Sequence, residues 1–360
     1  MSKRVLHFQG RMGKGGAESF MMNMYREIDR SKIQFDFLIY DDYQDVTDYN
    51  EEIKDLGGRI FVVTNPKKNI IKYLFEVNKL LKREKFDIAH NEVYFGGGIN
   101  LKLARRHGIK KRIAHSHATS DGKPTNLIMN QLRVFLDKML KNNATDLLAV
   151  SKEAGESLFG DSKFTIIHNG IKISNYQFTI EQRKNKRKQM GLEESDFIIG
   201  NIGRLEEQKN QSRLLDILKN IREEKRNTKL LLIGEGSLRE QLKNKITELD
   251  IKDSVVMTGE RNDIPELLSI MDVFVMTSIY EGLPMVGLEA QASGKKLVLS
   301  SEISKDTKVT PNVKFVPLSA SNHEWMNEIL KAPFDNKLTS ELETYDVSYT
   351  VKQMEQIYLK

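Results

Sequence analysis

Two glutamates flank a turn in the segment SIYEGLPMVGLEAQASG, residues 278–294. Glu281 comes just before a Gly-Leu-Pro sequence, and Glu289 follows eight positions later. A carboxylate accepts hydrogen bonds through two oxygens, so it can hold a vicinal diol such as ribose O2 and O3. The preceding run DVFVMT is typical of a buried strand, and parallel α/β sheets bind ligands beyond the carboxyl ends of their strands. We therefore expect this turn to bind sugar hydroxyls, the alternative being two exposed glutamates of no special role.

Backbone amides add donors to this turn. Pro284 suits the first position of a helix, where its missing N–H would be unpaired in any case. The neighbouring N–H groups would then point at an anion or a sugar oxygen. The amides concerned are those of Gly282, Leu283, Met285 and Val286.

Two cations follow a second predicted strand in the segment GNIGRLEEQKNQSRLL, residues 200–215. Arg204 and Lys209 lie between the end of the strand at Ile202 and a helix predicted from about Ser212. Cations beside a helix N-terminus form an anion site, and a diphosphate is a natural occupant. A departing nucleoside diphosphate gains negative charge that such groups stabilise, so they could replace a metal ion. The alternative is ordinary surface charge.

Two further motifs carry candidate ligand-binding groups. Gly15 and Gly16 come directly before a predicted helix, where glycine lets a ligand approach the backbone closely. His115 and His117 lie two positions apart at the end of another predicted strand. Within a strand this spacing places both side chains on one face. No third metal ligand is evident in the sequence, so we expect no zinc site and interpret a histidine here as a contact for a substrate hydroxyl.

The composition describes a globular protein large enough for two domains. Of its 360 residues, 39% are hydrophobic and 29% are charged, and none is cysteine. Disulfides, thiolate metal sites and cysteine nucleophiles are therefore excluded. No apolar run approaches the roughly 18 residues that span a bilayer, and the N-terminus enters a strand without a signal-peptide pattern. We expect a cytoplasmic protein.

Short apolar runs alternate with helical patterns along the whole chain. This alternation predicts parallel sheets covered by helices on both faces. A polar stretch at 169–188 is the expected joint between two doubly wound α/β domains that face each other across a cleft. The predicted strands are RVLHFQG, QFDFLIY, RIFVVT, FDIAH, RIAHSH, DLLAVS and FTIIHN, then FIIGNIG, KLLLIG, SVVMTG, DVFVMTS and KLVLSS; the predicted helices are 17–28, 70–83, 126–140, 212–222, 237–249, 264–271 and 285–292.

Positive charge is concentrated in one stretch. The formal net charge of the chain is +6, and residues 66–112 hold thirteen Lys/Arg against four Asp/Glu, which gives +9. The stretch is either a solvated surface or a contact for an acidic partner: anionic lipid, a phosphorylated substrate or nucleic acid. Aromatic residues do not interleave with the basic ones, which disfavours nucleic acid.

Taken together, the motifs resemble those of the retaining glycosyltransferases of family 4, which have the GT-B fold. The resemblance covers nearly the whole chain, and the pair of glutamates with the G-R-x4-K element is its specific part. It extends to the subset that builds bacterial exopolysaccharide and capsule. The matching motifs are GGAE, HSH, IHNGI, GRLEEQKN, LIGEG, TGERNDI and YEGLPMVGLEAQASG.

The resemblance implies an acceptor-binding domain over residues 1–172, completed by a helix at about 346–360, and a donor-binding domain over 173–345. It also implies transfer of a hexose from a nucleotide sugar, most frequently a UDP-sugar, with retention and without a metal or other cofactor. The implied catalytic residues are His117, Arg204, Lys209 and Glu281; the donor site adds Gly16, Arg261, Gly282, Leu283, Met285, Val286 and Glu289; the acceptor site adds Gly15, Gly16 and His115.

The acceptor implied by the resemblance is a polyprenyl-diphosphate-linked glycan. We therefore expect the helix at 70–83, with Ile71, Leu74 and Leu81, to dock on the inner face of an anionic membrane. Packing of this helix on its own sheet is the alternative.

Three alternative functions remain at this point. A nucleotide-sugar 2-epimerase of the same fold would need acid/base carboxylates near His117, and none is identified from the sequence. A non-catalytic binder of nucleotides or nucleic acid is the second. A nicotinamide dehydrogenase is disfavoured because neither half contains a GxGxxG motif.

Overall fold

The protein is represented by a computed structural model that describes residues 2–13, 15–94, 96–117, 127–331 and 339–360, and only the backbone for 127–130. The chain divides into two compact units. Unit 1 comprises Met1–Gly170 and Val347–Lys360, and unit 2 comprises Ile171–Asp346. Each unit contains its own parallel sheet.

Unit 1 is built on a sheet with the order β3-β2-β1-β4-β5-β6-β7, in which every pair is parallel. The strands are β1 (Lys3–Gly10), β2 (Ile33–Tyr40), β3 (Arg59–Val63), β4 (Ile88–Asn91), β5 (Lys111–Ser116), β6 (Asp146–Ala149) and β7 (Thr165–Ile166). The helices are α1 (Gly16–Glu27), α2 (Asn50–Asp55), α3 (Ile70–Arg83), α4 (Gly97–Arg106), α5 (Leu127–Asn143), α6 (Lys152–Phe159) and, from the end of the chain, α14 (Val347–Leu359).

Helices cover both faces of this sheet. On one face, α1 and α14 pack over Phe35 and Phe37, and Met354 and Tyr358 of α14 are fully buried there. The helix α14 therefore returns to unit 1, as the fold class predicted. On the other face, α3, α4, α5 and α6 contribute the remaining core.

Unit 2 has a second parallel sheet with the order β10-β9-β8-β11-β12-β13. Its strands are β8 (Phe197–Ile202), β9 (Thr228–Ile233), β10 (Val255–Gly259), β11 (Val273–Met276), β12 (Lys296–Ser300) and β13 (Val313–Val316). Its helices are α7 (Ile180–Gln189), α8 (Gln211–Glu224), α9 (Arg239–Glu248), α10 (Ile264–Ile270), α11 (Met285–Ala292), α12 (Asn322–Leu330) and α13 (Ser340–Glu343).

Each sheet has one position where the chain reverses its direction of winding. In unit 1 this is the gap between β1 and β4, and in unit 2 it is the gap between β8 and β11. The loops that leave two such neighbouring strands diverge to opposite faces, which opens a crevice at their carboxyl ends. These two positions are where the sheet geometry favours ligand binding.

Several elements differ from the prediction. The polar stretch at 169–188 contains most of α7, which begins at a capping box formed by Thr179 and Gln182. The buried residue of this helix is Arg187, whose guanidinium donates to the carbonyl of Ile270. The helix therefore has no apolar stripe from which it could be predicted. Strand β13 was also missed because exposed Lys314 interrupts its apolar run. Pro284 is the N-cap of α11, one position before the predicted one.

Candidate active site

The loops after β8 and β11 are joined by backbone and side-chain hydrogen bonds. The Ile279 N–H donates to the Gln208 carbonyl at 2.8 Å, and Gln208 Nε2 donates to the Tyr280 carbonyl at 3.0 Å. Because β8 and β11 are neighbours, these bonds bring the two cations and the first glutamate predicted from sequence to one edge of the sheet.

Lys209 and Glu281 form an ion pair at this edge, and both side chains are largely buried. The Ser278 hydroxyl also donates to Glu281 Oε1, at 3.0 Å. The backbone of Glu281 bridges to Ile303, and its carbonyl accepts from the Ser304 N–H at 3.0 Å. Glu281 is thus fixed at both its side chain and its backbone, with its negative charge compensated by Lys209.

Arg204 is the exposed cation of the pair. Its side chain is 71% exposed, with its guanidinium 3.1 Å from Glu206. Its position depends on Gly203, whose carbonyl lies against Gly234 at the end of β9. Gly234 has φ +135, and an added Cβ would lie 2.1 Å from the Gly203 oxygen. Gly234, the first glycine of the LIGEG motif, therefore allows the loop that carries Arg204 to lie close to the end of β9.

Glu289 lies on α11 beside Tyr176, a residue that the sequence reasoning missed. Burial raises the pKa of Glu289, which a hydrogen bond with Tyr176 partly offsets. Burial also raises the pKa of Tyr176, so its hydroxyl stays protonated and donates to the carboxylate. Within the described part of the chain, the N-terminus of α11 has no side-chain cap, and Gly282 before it is exposed, with no atom within 4 Å of an added Cβ. Gly282 and Glu289 therefore lie in one turn and the helix that directly follows it.

Arg261 follows β10, at the far edge of the same sheet. Its guanidinium forms two hydrogen bonds with Asp263, at 2.8 and 2.6 Å, and Asp263 is also 2.5 Å from Lys186. These contacts fix the plane of the guanidinium. These two bonds use the Nε–H and one Nη2–H of the guanidinium.

In unit 1 the glycine motif lies at the start of α1, after β1. Glu18 folds back beside Gly15, and its carboxylate accepts from Arg11 Nε at 3.0 Å. A carboxylate in this position interacts favourably with the positive end of the helix. Among the described residues, a Cβ on Gly16 would meet no atom within 4 Å.

The strongest polar cluster of unit 1 surrounds Glu92, directly after β4. The carboxylate is fully buried among four histidines. His117 Nε2 is 2.6 Å from Oε2, and His7 Nδ1 is 2.9 Å from Oε1. His90 Nε2 is 3.3 Å from Oε1, and His115 Nδ1 is 3.6 Å from Oε2. We call these five residues the Glu92 cluster.

The Glu92 cluster contains an ionised carboxylate. Burial alone would raise the pKa of Glu92, but its interaction with His90 and the hydrogen bonds from His117 and His7 outweigh it and hold the pKa well below its usual value. Burial lowers the pKa of His90 to about 3 and that of His115 well below its usual value, so both are neutral. His90 Nδ1 is 2.7 Å from the hydroxyl of Tyr358 on α14.

The structure separates the two histidines of the HSH motif. His115 lies within β5, fully buried, with the ring of Phe20 packed on its edge at 5.1 Å. It therefore has no surface to offer an acceptor, contrary to the predicted role, because a strand position faces the helix that covers it. His117 lies just beyond the strand, at its carboxyl end, with its side chain 9% exposed.

Sequence reasoning missed Glu92, His7 and His90. A usable indication was present, since RVLHFQG, FDIAHNE and RIAHSH each carry a histidine in an otherwise apolar strand. The missing information was the strand order, which places β1, β4 and β5 side by side, with His7 opposite His90.

The Glu92 cluster also supplies a third possible metal ligand beside His115 and His117, which the sequence did not reveal. Glu92 completes one triplet with His7 and His90, and another with His115 and His117. Two atoms bound to one tetrahedral zinc ion at about 2.0 Å lie about 3.3 Å apart. The 2.6 Å between His117 Nε2 and Glu92 Oε2 is instead the length of a charge-assisted hydrogen bond. The geometry of this pair favours hydrogen bonding over chelation.

Comparison with known proteins gives the family. Residues 14–175 match the model described as Glycosyltransferase Family 4, and residues 182–316 match the model described as Glycosyl transferases group 1. The Bacillus subtilis (strain 168) protein EpsF, named as a glycosyltransferase, is 34% identical over 310 residues, which cover 84% of this chain and 80% of EpsF. The chain belongs to glycosyltransferase family 4.

Two other relatives of this family 4 glycosyltransferase are also named as sugar transferases. An Escherichia coli enzyme named UDP-Gal:alpha-D-GlcNAc-diphosphoundecaprenol alpha-1,3-galactosyltransferase is 31% identical over 74% of this chain and 72% of its own. The Staphylococcus aureus capsular polysaccharide biosynthesis glycosyltransferase CapH is 26% identical over 99% of this chain and 98% of its own.

Solved structures confirm the GT-B fold. Anabaena Alr3699/HepE in complex with UDP superposes with a TM-score of 0.79 at 18% identity, covering 99% of both chains. A glycosyltransferase from Rickettsia africae ESF-5 gives a TM-score of 0.78 at 15% identity, covering 99% of this chain and 98% of its own.

The contact between Gly234 and Gly203 predicts a position-specific cost of adding a methyl group. Gly234→Ala should lower the free energy of unfolding by more than the ~1–2 kcal/mol expected for a left-handed non-glycine residue, because the new Cβ meets the Gly203 carbonyl. Gly191→Ala is the matched control, since Gly191 also has a positive φ, +67, but open space around its Cα. Denaturant unfolding measures both; equal losses would contradict the proposed contact.

Proposed function

We propose that this glycosyltransferase moves a hexose-type sugar from a nucleotide sugar, favoured to be a UDP-sugar, onto a lipid-linked glycan, with retention and without a metal. Unit 2 would bind the donor and unit 1 the acceptor. The observation that carries the proposal is the ion pair of Lys209 with Glu281 at the β8/β11 switch point of unit 2, with Arg204 in the loop after β8 and Glu289 on the helix after β11.

The donor would be held by groups of matching chemistry. Arg204 is exposed and would contact the diphosphate, and Lys209, which is ion-paired with Glu281, would be the second cation. Glu289 would accept hydrogen bonds from the ribose diol, and the α11 amides of Met285 and Val286 would donate to oxygens of the sugar. The same two cations would stabilise charge on the departing diphosphate, which is the task that a metal performs elsewhere.

The proposed reaction is a front-face displacement. The bond between the sugar's anomeric carbon and the phosphate oxygen breaks, and the acceptor oxygen bonds to that carbon from the same face. The acceptor hydroxyl's proton passes to the leaving phosphate oxygen, so no protein base is needed. His117 would contact a hydroxyl of the transferred sugar.

The contacts of Glu281 support a binding role over a nucleophilic one. Its carboxylate accepts from both Lys209 and Ser278, and each bond stabilises the negative charge that a nucleophile would have to share. A carboxylate so engaged is well placed to hold hydroxyls and poorly activated for attack.

The comparisons support the substrate classes. The HepE structures were solved with UDP, with UDP and glucose and with UDP-glucose. The Escherichia coli relative is named for a UDP-galactose donor and a diphosphoundecaprenol-linked acceptor. By likeness, this chain would use a similar class of donor and acceptor. Arg261 would lie against the base of the nucleotide.

A metal-free donor site predicts nucleotide binding in EDTA. We expect one of UDP, GDP and ADP, with UDP favoured, to bind in the micromolar range by calorimetry. Arg204→Ala should weaken it by about 1.5–3 kcal/mol, the usual worth of a hydrogen bond to a charged group. Arg226→Ala is the matched control, because Arg226 is also exposed but lies in the turn before β9, at the opposite end of the strands. Binding to none of the three, or binding that requires added metal, would contradict the site.

The two glutamates should separate catalysis from binding. Glu281→Ala should abolish transfer with only a modest loss of nucleotide affinity, because it would hold the donor sugar. Glu289→Ala should weaken nucleotide binding itself, because it would hold the ribose. Calorimetry with UDP and an assay of sugar transfer measure the two effects; the reverse pattern would exchange the proposed roles.

Unit 1 carries a surface suited to an anionic membrane. Leu81 of α3 packs on its own sheet, but Ile71 is 77% exposed and Phe75 is 67% exposed. Lys79 and Lys82 are exposed on the same stripe of the helix. Burial of apolar side chains and attraction of about 1 kcal/mol per lysine would act together at an anionic surface. In the described residues, no helix is long and apolar enough to cross a bilayer.

This surface predicts lipid-dependent flotation. The wild-type chain should float with vesicles that contain anionic lipid and remain unbound with neutral ones. Ile71→Glu combined with Phe75→Glu should abolish flotation. Ile180→Glu is the matched control, since Ile180 is 76% exposed on α7 of unit 2. Equal, negligible flotation with both vesicle types would end the membrane proposal.

One observation favours a second function. The 2-epimerase alternative lacked a carboxylate near His117, and Glu92 now supplies one at 2.6 Å. An epimerase would convert a nucleotide sugar in the absence of any acceptor, whereas the proposed transferase would not.

A further inference from the structure

The Glu92 cluster fixes the hydrogen-bonding state of His117. Its Nε2 lies 2.6 Å from Glu92 Oε2, and a carboxylate only accepts hydrogen bonds, so Nε2 carries the proton that it donates. In a neutral imidazole the other nitrogen is then an acceptor. His117 Nδ1 is buried and has no hydrogen-bond partner among the described residues.

The rest of the cluster is consistent with this arrangement. His7 Nδ1 can donate to Oε1 at 2.9 Å, and His90 Nε2, which lies 3.3 Å from Oε1, has its hydrogen bond with His115 Nδ1, also at 3.3 Å. Burial raises the pKa of Tyr358, so its hydroxyl remains protonated and can donate to His90 Nδ1 at 2.7 Å. Glu92 thus accepts from two imidazoles, His7 on one oxygen and His117 on the other.

The surroundings of His117 also hold its ring in place. The ring of Phe20, from α1, packs at 5.3 Å, and the ring of His115 lies 4.2 Å away. Glu92 follows β4, at the switch point beside β1, whereas His117 follows β5. The hydrogen bond therefore joins the loop after β5 to the position where the sheet favours ligands.

We propose that Glu92 is a positioning residue that holds His117 as its Nε2–H tautomer, so that Nδ1 presents a hydrogen-bond acceptor to a hydroxyl of the sugar substrate. The inference rests on the proposed function for its consequence in catalysis, but the tautomer itself does not. An accepting Nδ1 requires the sugar to carry a hydroxyl that donates to it. A sugar that is deoxy or O-methylated at the contacting position would leave Nδ1 unpaired.

Glu92→Gln should reverse the tautomer. An amide side chain has one accepting oxygen, which would stay on the side of the His7 Nδ1–H donor, where His90 Nε2 also lies 3.3 Å away. The amide NH2 would then face His117 Nε2, which must accept, so the proton moves to Nδ1 and the acceptor is lost. We expect kcat to fall about tenfold or more with the donor KM within about twofold, as for a hydrogen bond lost at a buried group.

Long-range proton–nitrogen correlation spectra of histidine-labelled protein distinguish protonated from unprotonated ring nitrogens. The chain has seven histidines, and the His117→Asn variant assigns the resonances. The expected result is a protonated Nε2 and an unprotonated Nδ1 in the wild type, and the reverse in Glu92→Gln. A wild-type His117 with Nδ1 protonated, alone or together with Nε2, would overturn the proposal without any variant having to fold.

Asp36→Asn is the matched control. Asp36 is a buried carboxylate of unit 1 paired with Arg4 and Arg59, and the rings of its neighbours along β2, Phe35 and Phe37, pack against His7. Alternate residues of a strand face opposite sides of the sheet, so Asp36 points away from the Glu92 cluster. This variant should lose stability but keep both the His117 tautomer and kcat.

Three other outcomes are distinguishable. If the tautomer behaves as expected but the wild type transfers no sugar, the proposed function fails and the positioning by Glu92 stands. If the tautomer persists in Glu92→Gln and kcat is unchanged, the inference fails while the transferase stands. One equivalent of metal in the purified wild-type protein, lost in Glu92→Gln, would also overturn it, since Nε2 would then be a ligand and not a donor.

Discussion

The whole structure depends on parallel strand pairing. Parallel neighbours require crossover connections, so in each unit all carboxyl ends lie along one edge of the sheet and helices cover both faces. Loops at that edge are where side chains can meet without disturbing the core. In both units the chain starts in the middle of the sheet and winds first to one side, then to the other, so one crevice opens beside the first strand. The Glu92 cluster lies at the first of these crevices, and the ion pair of Lys209 with Glu281 lies at the second.

The two crevices share a design. In each, a carboxylate follows the strand that neighbours the first strand of the unit: Glu92 after β4 and Glu281 after β11. A buried carboxylate is costly unless it is paired and hydrogen-bonded. Glu281 is compensated by Lys209 and Ser278, and Glu92 by the surrounding imidazoles. Each carboxylate in turn fixes its partners, so the geometry presented to a ligand is set before the ligand arrives.

The sequence predicted what local patterns determine. The helix at 70–83 has an apolar stripe and basic residues in its last turn, and α3 covers the same residues; α11 follows a turn that contains Pro284, and its bounds also agree. The group of Arg204, Lys209 and Glu281 was identified because each lies directly after a recognisable strand. The Glu92 cluster was not, because its members come from three strands whose adjacency only the sheet order reveals. Helix α7 was missed because its buried anchor is Arg187, which reads as a surface residue in a polar stretch.

The most direct test of the account is the anomeric configuration of the product. The purified chain would be incubated in EDTA with a panel of α-linked UDP-hexoses and a short prenyl-diphosphate-linked N-acetylglucosamine, and the new linkage read by proton NMR from the H1–H2 coupling. The account predicts an α-linked product from one of these donors, formed without metal and only when the acceptor is present. A β-linked product would contradict retention, and conversion of the UDP-sugar without acceptor would point to an epimerase.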